Sequence, residues 1–184
     1  MRRLMTLALP SALAVLLFAA SERPVVSRAA LVAVEKNIDK RLETEVLGGP
    51  FLLLGMTRGF YLPGYGVVLT AEVNLAHGAN PSPFRSKIPK EEIASVYIKK
   101  RDKYPVLKKE MQDLLISSGA SLDTVPPDEQ VVLGVMLFFH AWENTTGLPQ
   151  QVVMMADRKT LVEFQTGRRE RSTAGSVIRV QESF

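Results

Sequence analysis

The apolar residues Leu31, Val34, Ile38, Leu42 and Val46 recur at intervals of three or four, with Glu35, Lys36, Asp39, Lys40 and Glu43 between them. That period predicts an amphipathic helix with one buried stripe, because 3.6 residues per turn bring such positions onto one face. Leu47, Gly48, Gly49 and Pro50 end it, since glycine takes the left-handed C-terminal conformation and proline cannot continue a helix. Residues 51–56 are a continuous apolar run bounded by turn formers, which predicts a strand covered on both faces. Residues 67–75 instead alternate, with Val67, Leu69, Ala71, Val73 and Leu75 on one side and Thr70, Glu72 and Asn74 on the other. Pro63, Gly64, Tyr65 and Gly66 lie between these runs and predict an antiparallel hairpin with its turn at or near them.

Residues 76–89 contain Gly78, Pro81, Pro83 and Pro89 and read as a loop. Beyond it a helical stripe of Ile93, Val96, Tyr97, Tyr104, Leu107, Met111, Leu114 and Leu115 runs through densely charged sequence. Pro105 removes one backbone donor within it, so a kink or two consecutive helices is expected. Residues 130–139 and 151–155 are rich in β-branched and aromatic side chains, and 143–149 has turn composition, which predicts a second hairpin. Asp157 is placed to cap a short helix carrying Leu161, Val162 and Phe164 and ending near Gly167, and residues 176–181 read as a last strand. The order predicts a single α+β domain over 29–184, with a largely antiparallel sheet of about five strands (two hairpins plus a last strand), two long helices and one short helix, the helices on one face.

Residues 1–21 have the three parts of an export signal: Arg2 and Arg3, an apolar run over 4–20, and the small residues Ala19, Ala20 and Ser21. The run is short for a membrane span, which needs about 20 apolar residues, so cleavage before Glu22 is expected rather than retention as an anchor. Residues 22–28 then form a linker. The expected location is periplasmic or extracellular.

The 184 residues carry a formal charge of +4. Setting aside Arg2 and Arg3 leaves 21 basic side chains against 19 acidic ones, a net +2, which gives no global attraction for a phosphate backbone and argues against a nucleic-acid partner. The absence of cysteine excludes a disulfide framework, thiolate metal sites and a thiol nucleophile.

The residues available for chemistry are few. Gly59, Gly64 and Gly66 imitate a phosphate loop, but the lysine and hydroxyl that touch phosphate and magnesium are missing and a strand follows instead of a helix, so they read as turn glycines. His77 and His140 are the two histidines; with Glu143 they are the candidate metal ligands, although a hydrogen-bonded histidine at the sheet margin explains His140 as well. Glu72, His140 and Glu143 are the candidate catalytic groups, and no serine lies in a Gly-x-Ser-x-Gly elbow. No cofactor is expected. Lys99, Lys100, Arg101 and Lys103 lie in a basic helix that could touch an anionic membrane face, while its apolar stripe suits the sheet and leaves the lysines as a solvated face. Tyr61, Tyr65 and Glu72 either line a recognition surface or fix the hairpin turn, and the turn is the preferred reading.

The segment from Gly59 through the Tyr61-Leu62-Pro63-Gly64-Tyr65-Gly66 turn to Val73, with Gly147 to Met154 further on, resembles uncharacterised exported bacterial proteins. The resemblance implies an envelope location and a single domain, and no activity. The expected function is an exported binding or assembly module for an envelope protein or polymer. The alternatives are a metal- or carboxylate-dependent hydrolase and a peripheral membrane-binding protein.

Overall fold

A computed structural model describes residues 26–43, 51–78 and 87–184. The expected signal, the first part of the linker, the end of the first helix at the glycine pair and most of the proline-rich loop lie outside the described residues. The elements run α1 (Arg28–Glu43), β1 (Leu52–Leu53), β2 (Arg58–Leu62), β3 (Gly66–Asn74), α2 (Lys90–Ser121), β4 (Gln130–Leu137), β5 (Gln151–Asp157), α3 (Arg158–Gln165), a 3-10 turn at Arg171–Thr173, α4 (Ala174–Val177) and β6 (Arg179–Ser183). The α+β architecture is the one the pattern predicts, with the very short α4 added.

The strands form one sheet in the order β1-β3-β4-β5-β6, with β2 beside β3 on the same edge as β1. Four of the strand pairs are antiparallel, and β3 lies parallel to β4. A parallel neighbour requires a crossover, which α2 supplies. Along β3 and β4 the register sets Val67 beside Val131, Leu69 beside Leu133 and Ala71 beside Val135. All six are buried against the helices, with Ile38 and Leu42 of α1, Leu107, Met111, Leu114 and Leu115 of α2, and Leu161 and Phe164 of α3. Each fully buried aliphatic side chain contributes about 1.5–3 kcal/mol relative to exposure, so this one face of the sheet holds the main stabilising term.

The first hairpin differs from its expected pairing. Residues 51–56 do not make a doubly covered strand: Leu52 is 36% and Met56 69% exposed, and only β1 pairs with the end of β3. The partner along most of β3 is β2, whose five residues pair in register from Arg58 with Thr70 to Leu62 with Gly66. Gly55, at φ 100°, lies between the two edge pieces. Among the described residues the edge is closed by α1 rather than by another strand. Gly59 N–H donates to Glu35 Oε1 at 2.7 Å, Arg28 Nη1 donates to Gly59 C=O at 2.8 Å, and Thr57 N–H donates to Asp39 Oδ1 at 2.8 Å. Arg28 also pairs with Glu35, which is buried.

One local expectation is narrowed and two are corrected. Of the two alternatives at Pro105, two consecutive helices are excluded: α2 continues through it as one 32-residue helix, with Pro105 and Arg101, whose carbonyl the proline cannot pair, both exposed. Asp157 precedes α3 but does not cap it with its side chain; its carboxylate accepts from the Gln130 amide instead. The last strand begins at Arg179, later than expected, because residues 174–177 are helical.

Candidate functional site

Because α1, α2 and α3 pack against one face of the sheet, the alternate residues of each strand point the other way. Phe60, Val68, Val132 and Met155 form one row across that second face, and Glu72, Met136 and Gln151 form another. No described helix covers it. Phe60 is 47% and Met136 48% exposed, large apolar side chains on a surface where alternating strands ordinarily place polar ones.

At the carboxyl end of the parallel pair this face deepens into a cleft of about 490 Å³ lined by Glu72, Met136, Phe138, Thr145, Gln150 and Gln151, among others. The parallel register puts Glu72 beside Met136, and the antiparallel one puts Gln151 on Met136's other side. The lining offers one carboxylate, two amides and a hydroxyl over an apolar floor. This set accepts and donates hydrogen bonds, and it contains no nucleophile held by a base.

The wall behind the cleft is fixed by a buried ion pair. Lys100 Nζ lies 2.5 Å from Glu143 Oε2, donates to Phe138 C=O at 2.9 Å and sits 4.6 Å from the centre of the Phe139 ring. The two side chains are 1% and 2% exposed. Burial pulls the Lys100 ammonium below its ordinary pKa, and the Glu143 carboxylate opposes that shift. His140 stacks on Trp142 at 5.5 Å and meets Phe138 edge-on at 4.9 Å.

The candidate residues therefore separate. Glu72 lines the cleft, Glu143 is engaged by Lys100, His140 is held among aromatic rings, and His77 is exposed just past the end of β3. Among the described residues no three His, Asp or Glu side chains gather as metal ligands. Lys100 is removed from the expected membrane-facing set because it is among the most deeply buried side chains, whereas Lys99 and Arg101 are exposed and Lys103 is half-buried. Among the described residues no helix is long and apolar enough to cross a membrane.

Tyr61 and Glu72 do not share a surface. Tyr61 is paired with Val67 on the helix side and packs against the core, Glu72 is on the opposite face, and Tyr65 is exposed in the turn. The turn is fixed by a residue that the hydrophobic pattern does not single out, the buried Glu129. Its Oε1 accepts from Gly64 N–H at 2.9 Å and from the Tyr61 hydroxyl at 3.2 Å. The glycine amide that a phosphate would need is thus held by the chain's own carboxylate. Gly66 is required here because a Cβ would lie 1.9 Å from the Gln130 carbonyl oxygen.

Neither a protein-family model, nor a curated protein, nor a solved structure matches the chain.

Proposed function

We propose that this chain is an exported cell-envelope protein that works by binding, as an interaction or assembly module, and that the sheet face away from the helices is its binding surface. The observation that carries this reading is that face itself: the exposed Phe60 and Met136, the half-buried Val68 and Met155 in the row that runs through the buried Val132, and the cleft beside Glu72, on the side of the sheet away from α1, α2 and α3. Exposed apolar surface in a contiguous patch marks interaction sites more often than scattered single residues do. The amides of Gln150 and Gln151 and the Glu72 carboxylate give the patch a polar rim, the composition of a surface that meets another macromolecule. The signal-like residues 1–21 and the likeness of the hairpin to exported bacterial proteins support the envelope location.

The test is a double variant, Phe60→Glu with Met136→Glu. Both side chains are about half exposed and Met136→Glu sets a carboxylate beside Glu72, so each change costs on the order of 1 kcal/mol, and circular dichroism of the double variant checks that it folds. In cells treated with a mild cross-linker, the parent chain forms an adduct and the double variant does not. An adduct of equal yield from the double variant contradicts the assignment of the face, and turnover of a hydrolase substrate by the purified protein contradicts the non-catalytic reading.

A further inference from the structure

The two edges of the sheet are finished differently. At the β2 edge the backbone groups of Gly59 and Thr57 are taken by Arg28, Glu35 and Asp39 of α1, so no strand can be added there. At the other edge β6 has β5 on one side and, among the described residues, no strand on the other. An edge strand with unpaired amides and carbonyls is a template for another extended chain.

The surroundings of β6 specify what that chain would be. On the helix side a groove of about 540 Å³ runs between α2 and β6. Its floor is Val180, which is 46% exposed, and Met154; its wall is Lys108, Lys109 and Gln112. Glu182 also lines it, but that carboxylate is already engaged, accepting from the Tyr104 hydroxyl at 2.6 Å and from Lys108 at 3.1 Å. Lys109 is left exposed over the groove, and Arg179 is exposed on the other face of β6.

We infer that β6 accepts an extended peptide segment of a partner protein as an added strand, with apolar side chains entering the Val180 groove and carboxylates meeting Lys109 and Arg179. Main-chain pairing supplies the affinity in this mode, and the alternate side chains supply the selectivity. A second copy of this chain is the poorer occupant. Antiparallel pairing of β6 with its own copy brings one lysine-walled groove against another, and like charges facing each other oppose the contact. The surface is separate from the face proposed above for binding, and the inference stands apart from that reading.

The experiment pans the full chain against a display library of random linear peptides and maps one synthetic winner by amide hydrogen exchange. Expected are peptides whose groove-side positions are apolar with an acidic residue among them for Lys109 and whose alternate positions are acidic toward Arg179, protection concentrated at Arg179–Ser183, and binding weakened about tenfold by Lys109→Glu. A winner with one proline at its centre no longer protects β6, because it lacks the pairing amide. No enrichment, winners indifferent to Lys109→Glu, or concentration-dependent protection of β6 without peptide would each overturn the inference. Winners that protect β3 and β4 instead would overturn the β6 site while leaving the sheet-face reading intact.

Discussion

Lys100 and Glu143 show how much depends on pairing when a charge leaves water. Removing one partner leaves the other buried and unpaired, so Lys100→Met or Glu143→Leu alone is expected to cost about 3–5 kcal/mol, while the two together fall near the parent. Urea denaturation of the three variants checks this; additive losses would show that the pair acts as two independent groups. Glu182 gives the pH counterpart. The hydrogen bond from Tyr104, helped by Lys108, holds its carboxyl below the ordinary range in the folded state. A depressed folded value means stability that is present above the ordinary carboxylate pKa and lost as pH falls through the depressed one. The parent should therefore exceed Glu182→Gln in urea midpoint at neutral pH, and the difference should close in acid; a constant difference would mean the carboxylate's charge contributes nothing. Neither pair was legible in the sequence. Lys100 sits in a run of basic residues, and nothing in its spacing tells that its side chain turns inward to a loop about forty positions later. The same is true of Glu129, one acid in a turn-rich stretch until Gly64 and Tyr61 are seen to donate to it.

Among the elements, those with a strong period were readable and the broken ones were not. The alternation from Val67 to Val73 and the stripe of α1 are local signals of burial, and both faces came out as the pattern implies. The run over 51–56 misled because continuous apolar residues do not say whether both faces are covered, and here the sheet edge ends beside them. Charged residues on α1 closed that edge: Glu35 and Asp39, which lie between the apolar positions of the stripe, and Arg28, which the pattern assigns to the linker and which is the first residue of the helix. The path of α2 through Pro105 carries its own prediction. Proline inside a helix costs up to about 3 kcal/mol relative to alanine, and this one is exposed, so Pro105→Ala should raise the urea midpoint. A loss of stability would mean that the proline ring makes contacts that outweigh its missing amide. At the hairpin, Gly66→Ala should cost more than about 2 kcal/mol, through positive φ and collision with Gln130 together, whereas Gly147→Ala, with open space around it, costs about 1 kcal/mol. Equal losses in thermal unfolding would remove the collision from the account.

At the scale of the whole molecule, three helices on one side of a mixed sheet leave the other side uncovered among the described residues, and this asymmetry could not be read from strand patterns alone. Val68 and Val132 alternate with core residues in the ordinary way, and only the crossover by α2, which makes β3 and β4 parallel neighbours, aligns them in one row with Phe60 and Met155. The parallel pairing likewise brings Glu72 to Met136, so the cleft belongs to the topology more than to any motif. The claim that this face is where the protein binds is tested most directly by site-specific photo-cross-linking in the native cell. A benzophenone side chain is placed in turn at Met136, on the open face, and at Ile98, equally exposed on α2. The account predicts a discrete adduct from Met136 and none from Ile98. Adducts of equal yield from both positions, or an adduct from Ile98 alone, would contradict it.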